Sequence, residues 1–343
     1  MQVRQKIWDL THNLPMSKNT IKKFLTIDEQ IEHLKKDYKL VVNDERLFKR
    51  FLRKFNYSRL IYDYGIAIRN NFGMFLPNTN STDIINVYNF DTVIKERLLS
   101  KIFNIEKRLG TAIAYYVAKE MKNKWLCDDG KLFRLSKNKR NIILKSSSQK
   151  FLKRLCLFYI RNNVINQKIK GINDIKMSMI KDIPIWEVTR YWEYGTTVNF
   201  LMSIKINSIK VDIINSFANH KIINVNDKHI DTKINNFISA ISVLGKVRNK
   251  CCHNNKLFDV KFGSPIVKNV ADFIRDKINP KYIGNSVRLW DIATIIDYLN
   301  PVDIHRIDKK ATSIINSWYD LLLKPIDKRI KTDQFKIYKK IGK

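Results

Sequence analysis

Between Phe90 and Tyr116 the apolar residues fall at steps of three and four: Val93, Ile94, Leu98, Ile102, Ile105, Leu109, Ala112, Ile113 and Tyr116. An α-helix turns once every 3.6 residues, so this spacing gathers them on one stripe, and about 27 residues of it predict a single long amphipathic helix. A rod of that length must cover its stripe with other elements. Lys95, Arg97, Lys101, Lys107 and Arg108 fall off the stripe and are expected on the opposite face. Turn-formers are scarce. The 343 residues hold 10 glycines and 7 prolines, about 5% where about 12% is usual. With few tight turns, no strand-like alternation and no internal repeat, the fold class expected is all-α.

Other helices can be placed around this one. Thr26 reads as an N-cap with Asp28 and Glu29 in the first turn, ahead of Ile27, Ile31, Leu34 and Tyr38 at helical spacing. Leu47, Phe51, Leu52 and Phe55 continue a helical stripe into Asn56–Leu60, and the polar run from Pro77 to Thr82 reads as a loop. A helix is expected to begin near Pro184-Ile185-Trp186 and to run through Val188, Tyr191 and Trp192 to Gly195, with helix resuming at about Val198. A third long helix is expected from about Asp231 to Cys252, with Ile234, Phe237, Ile238, Ile241, Leu244, Val247 and Cys251 on one face. Further helices are expected over 267–278, 290–299 and 308–323. The organisation expected is an N-terminal helical region (1–121), a basic and less periodic insertion (122–182), a pair of helical segments (183–260) and a C-terminal helical extension with a lysine-rich tail (261–343). The insertion reads equally well as a nucleic-acid contact or as a solvated elaboration.

Composition bears on partners. Apolar residues at 44% and charged residues at 28% exclude a disordered tail or a fibrous repeat. The chain carries 64 basic and 32 acidic residues, a net charge of +32. A vocabulary rich in Lys, Ile and Asn raises lysine without explaining why acids number half the bases. Charge this one-sided repels itself unless a polyanion neutralises it, so nucleic acid is the first partner expected and an anionic membrane surface the second. No 18-residue uncharged apolar window occurs, and residues 1–14 carry Arg4, Lys6, Asp9 and His12 where a signal peptide would be apolar. Four cysteines (Cys127, Cys156, Cys251 and Cys252) do not make a disulfide framework at this length, so a reducing, cytoplasmic setting is expected.

The third long helix ends in Gly245-Lys-Val-Arg248-Asn249-Lys250-Cys-Cys-His253-Asn-Asn255. On an ideal helix Asn249 and His253 lie within about 40° of one another, and Arg248 lies about 100° from Asn249 with a side chain long enough to reach the same patch. Together they offer an always-charged fork for phosphate, an amide, and an imidazole that titrates near neutrality. Phosphodiester cleavage in RNA uses that set: a base for the 2′-hydroxyl, an acid for the leaving oxygen, and a cation for the phosphorane. One imidazole cannot conveniently serve both sides of the phosphate, whereas a symmetric dimer would bring two. On spacing alone, surface or capping residues account for the same pattern. A zinc site at Cys251, Cys252 and His253 is disfavoured because paired zinc cysteines are two to four residues apart. No Walker loop or Gly-x-Gly-x-x-Gly is present, and no nucleophile motif stands out. Aromatics interleave with arginines over Phe48–Arg59 and over Arg190–Tyr194, which suits base stacking or, at helical spacing, a core. Lysine-rich 18–23 and 328–343 suit non-specific phosphate contacts or solvated tails.

Four blocks of the sequence are similar to the Abi-like (AbiD/AbiF) family of abortive-infection proteins. They are Asn56-Tyr57-Ser58-Arg59-Leu60; Phe90-Asp91 leading to Ile105-Glu106 and Ile113-Ala114-Tyr115; Pro184-Ile185-Trp186 followed by Tyr194-Gly195-Thr196-Thr197; and Leu244-Gly245, Arg248-Asn249, His253 and Lys256-Leu257-Phe258. The blocks occur in the family's order over about 25–260. The resemblance implies a HEPN-type helical bundle with additional helices, whose Arg-Asn-x-x-x-His motif forms a metal-independent ribonuclease site across a homodimer. It implies Arg248 and His253 as catalytic residues, with Asn249 in support and Glu106 as a possible orienting acid. It also implies a bound structured non-coding RNA beside the RNA substrate, no cofactor, and a toxin role in phage defence. Products would carry 2′,3′-cyclic phosphate and 5′-hydroxyl ends. The alternative is a non-catalytic RNA-binding protein of the same fold; a membrane-surface protein ranks third. One departure is Arg190, where family members carry an acid; Glu187 and Glu193 stand nearby. Arg50, Arg53, Arg59, Lys101, Lys107, Arg108, Arg190 and Lys250 are the RNA contacts expected.

Overall fold

The computed structural model describes residues 24–70, 72–121, 144–163, 169–180, 183–217, 223–263, 269–270, 272–273, 286–300 and 310–325. Their regular structure is helical throughout; no strand occurs among them, only isolated bridges such as Val41 with Asn80. The all-α expectation holds. The lysine-rich 18–23 and 328–343, residues 122–143 of the basic stretch, Cys127, His12, His220 and His305 lie outside the described residues, as does most of the helix expected over 267–278. The chain forms two compact units, one drawn from Met1–Lys95 with Ile315–Lys343 and the other from Glu96–Ile314.

In the first unit, α1 (Ile27–Tyr38) starts where the sequence places it. Thr26 Oγ1 accepts the Glu29 N–H at 3.3 Å while the Glu29 carboxylate accepts the Thr26 N–H at 2.7 Å, so two otherwise orphaned donors are satisfied reciprocally. It stops at Lys39, which turns left-handed at φ 59°. Next, α2 (Glu45–Lys54) is capped by Asp44, whose carboxylate accepts the Leu47 N–H at 2.8 Å. The stripe does not continue as helix into Leu60. Asn56 Oδ1 takes the Ser58 N–H at 2.9 Å, an Asx turn that competes with helix, and a π-helical turn over Arg59–Tyr64 follows. The long helix α3 (Ser81–Met121) begins inside the expected loop, because Asn80 and Asp83 cap each other's backbone N–H. On its first turns Lys95 proves buried, not solvent-facing. Its ammonium lies 3.1 Å from Asp91 Oδ2, which also accepts the Tyr64 hydroxyl at 2.8 Å.

In the second unit the stripe of α3 continues through buried Leu98, Ile102, Ile105, Leu109, Ile113 and Val117. Helix α8 (Ile230–Cys252) matches its expected span within one residue and buries Ile234, Phe237, Ile241, Leu244 and Val247. Each such side chain contributes about 1.5–3 kcal/mol on burial. Against α8 pack α6 (Tyr194–Ser203), α7 (Asn207–Asn215) and α9 (Leu289–Leu299). The stretch 144–163, read as part of an insertion, is the helix α4 (Leu144–Asn163). It buries Leu155, Cys156 and Ile160 and packs on α5 (Ile185–Thr189). The single helix expected from Pro184 to Gly195 is instead α5 and α6, separated by Arg190–Glu193. Trp192 and Tyr194 are both buried, and residues two apart on one continuous helix would point about 200° apart. Trp192 Nε1 donates to the Leu155 carbonyl at 3.1 Å, fixing the break against α4. The last helix, α10 (Ala311–Trp318), runs into a π-helical turn at Tyr319–Leu323.

Candidate functional site

Helix α8 delivers the motif to solvent at its C-terminal end. His253 is the C-cap, and its N–H still reaches the Asn249 carbonyl at 3.0 Å. Asn254 then turns left-handed at φ 51°, its N–H bonding the Cys251 carbonyl at 3.0 Å, while the Asn255 N–H bonds the Lys250 carbonyl at 2.8 Å. That pair of bonds is a Schellman ending, with Asn in the place glycine usually takes. It terminates the helix directly after His253 and leaves the imidazole exposed beside exposed Asn249. The adjacent cysteines part company: Cys251 is buried and Cys252 exposed. No group of three or more His, Cys, Asp or Glu placed to hold a metal ion occurs among the described residues.

Arg248 is held from three sides. Its Nη1 donates to Asn249 Oδ1 at 3.3 Å, and its guanidinium carbon stands 5.8 Å from the Phe103 ring centre. Its Nε lies 4.0 Å from Glu106 Oε2, an ion pair too long to be a hydrogen bond. Both of those atoms are buried and neither has a hydrogen-bond partner. Phe103 and Glu106 sit three apart on α3, so one helix supplies both the ring and the acid. Burial pushes the Glu106 carboxyl above the ordinary glutamate range. Arg248 and the Tyr194 backbone N–H, which the carboxylate accepts, draw it back, while nearby Glu193 raises it. Glu106 therefore lies next to Arg248.

Two of the matching blocks meet directly behind this site. Tyr194 is fully buried, and its hydroxyl donates to the Ile241 carbonyl on α8 at 2.7 Å. The ring lies flat enough on Gly245 that a Cβ there would come within 2.8 Å of it. Gly245 thus lets α6 approach α8 one turn before Arg248, and the same Tyr194 offers its N–H to Glu106. Sequence reasoning placed Tyr194 among aromatics that stack bases or fill a core; it fills the core. The role of Phe103 beneath Arg248 was not foreseen, since nothing in local spacing relates Phe103 to α8.

The expected RNA contacts divide. Arg50 and Arg53 are exposed on α2, away from its buried Phe48 and Leu52, and Arg59 and Lys250 are half-buried. Lys107 is exposed. Lys101 is buried, at 5% exposure, because it stands next to buried Ile102 at the edge of the α3 stripe. Arg108 is committed to the fold. It donates to the Leu299 carbonyl at 2.7 Å and the Ser216 carbonyl at 3.1 Å, the ends of α9 and α7, with Phe217 4.8 Å beneath it. Arg190 is exposed, its Nη1 3.3 Å from Glu187, while Glu193 is the nearby acid that raises the Glu106 carboxyl.

No curated protein and no solved structure matches the chain. The family model for Abi-like proteins matches residues 50–259, more than half the chain, from α2 to just beyond the Schellman ending of α8. Phe103, Glu106, Tyr194, Gly245, Arg248, Asn249 and His253 all fall inside that span, and the chain belongs to the Abi-like family.

Proposed function

We propose that, within the abortive-infection phage defence that membership of the family suggests, the protein is an RNA-binding, metal-independent endoribonuclease of HEPN type, with Arg248, Asn249 and His253 as its active residues. The observation that carries this reading is the end of α8, which pairs an exposed imidazole at the helix cap with an arginine already oriented by Glu106 and Asn249. A fork held in place loses less on binding phosphate than a free one.

In this mechanism a neutral His253 nitrogen takes the 2′-hydroxyl proton as O2′ attacks phosphorus. Arg248 neutralises the two non-bridging oxygens as charge builds on them. The P–O5′ bond breaks, and the departing O5′ takes a proton from a second acid, supplied by His253 of a second copy in a homodimer. The products are a 2′,3′-cyclic phosphate and a 5′-hydroxyl. The +32 charge suits a tightly bound structured RNA that restrains or guides the toxin, in addition to the RNA that is cut.

The test compares cleavage rates of the wild type, freed of bound nucleic acid, with His253→Ala and Arg248→Lys. Losing one positioned acid or base lowers the rate by about 10²–10⁴. Arg248→Lys keeps the charge but loses the fork, so a fall of at least about tenfold is expected. Binding of RNA with no cleavage by any of the three would leave the non-catalytic RNA-binding reading in its place, and equal cleavage by all three would place the cutting outside this site.

A further inference from the structure

Beyond the end of α8, the α3 helix carries an unusual exposed row. Phe103, Lys107, Thr111, Tyr115 and Lys119 follow one another at four-residue steps, and all five are exposed. Such a row is a ridge on the helix surface, rising about 6 Å per step. Phe103 is 43% and Tyr115 61% exposed, large rings left open on a helix that buries Leu98, Ile102, Ile105, Leu109 and Ile113 on its stripe. Against Tyr115 stands Trp186 of α5, 49% exposed, across an open groove of about 480 Å³ lined also by Thr111, Ala114, Ala118 and Lys119. The floor is made of alanines, so flat groups can lie against it.

We propose that this groove holds an unpaired base of single-stranded RNA, stacked on Tyr115 and Trp186, with Lys107 and Lys119 at the flanking phosphates. The inference rests on the reading of the protein as RNA-binding and names the class of RNA: single-stranded at this point. Charge and shape select that occupant. Two exposed rings and a cation around one groove form the combination that binds unpaired nucleotides without sequence preference. A base inside a duplex has its faces covered by its neighbours and cannot enter. A purely apolar peptide would meet Lys119 in the lining and gain nothing from it. The ridge also has a direction. Phe103, whose ring lies by Arg248, is about 18 Å along the helix axis from Tyr115, so a strand stacked at the groove runs on toward the proposed scissile position.

The test measures binding of the full-length protein, freed of nucleic acid, to a labelled RNA of about a dozen nucleotides with methylated 2′-hydroxyls, single-stranded or annealed to its complement. Tyr115→Ala and Trp186→Ala should each weaken single-strand binding about 5- to 150-fold, the loss of one stacked base. Tyr115→Phe and Trp186→Phe should stay near wild type, and duplex affinity should not move. Methylation blocks cleavage, so these results are independent of whether the protein is a nuclease. Loss of stacking in a protein that cuts nothing would keep the groove and remove the nuclease. Unchanged single-strand affinity in both alanine variants would overturn the proposal. So would an alanine variant that dissociates a dimer in sedimentation at unchanged RNA affinity, since a second copy would then be the occupant.

Discussion

Three residues illustrate how far chemistry at a single position reaches. Gly245 sits in mid-helix, where alanine is ordinarily the better residue by about 1 kcal/mol. Here its missing Cβ is what admits the Tyr194 ring, which is pinned by its hydroxyl bond to Ile241 and cannot swing away. Gly245→Ala should therefore destabilise the protein by about 1–3 kcal/mol, seen as a lower thermal midpoint. Asp291 is buried at the start of α9, and burial pushes its carboxyl up to about 6, against the Arg288 N–H and charge that lower it. The folded state then holds a proton that the unfolded chain releases near pH 4. The stability Asp291 contributes is present below about pH 4 and is lost as pH rises to about 6. Asp291→Asn should flatten that part of the stability–pH curve and stabilise at pH 7 by on the order of 3 kcal/mol, measured by denaturant unfolding. His253 was legible as a candidate beside Asn249 because the spacing between them is local, and both are exposed at the end of α8. The partner of Arg248 was not legible from geometry, because Glu106 is brought to it by packing of α3 against the α8 end and reached the sequence reading only through resemblance.

At the scale of elements, periodic segments read well and interruptions read poorly. Helix α8 has an unbroken stripe and emerged with its ends in place. The breaks at Phe55 and at Arg190–Glu193 depend on Asx bonding and on where Trp192 and Tyr194 must be buried, neither of which alters the apolar spacing. The stripe of α3 likewise hid that Lys101 is covered and that Arg108 is structural. Arg108 closes two helix ends at once, α7 at Ser216 and α9 at Leu299, where carbonyls have no intrahelical partner. Arg108→Met should cost about 2–3 kcal/mol, and Arg108→Lys should not restore it, because a single ammonium cannot span both carbonyls in that geometry. Neither change should alter the salt dependence of RNA binding, which would move if Arg108 gripped phosphate.

For the whole molecule, fold class and family were both readable: turn-poor composition and long stripes give all-α, and four ordered blocks give the family. What charge contributes is a prediction about binding. An RNA complex that neutralises about ten phosphates should lose affinity with a log–log salt slope of roughly −7 to −9. A slope near zero would mean that the +32 charge serves something other than RNA. If the α8 end cuts RNA by transferring protons through His253, the chemistry of the product ends will show it. Purified protein stripped of nucleic acid is incubated with RNA in EDTA beside His253→Ala, and the new ends are mapped. The wild type should give 2′,3′-cyclic phosphate and 5′-hydroxyl ends, and the variant none. Ends of the opposite kind, 3′-hydroxyl and 5′-phosphate, or equal cleavage by His253→Ala, would contradict it.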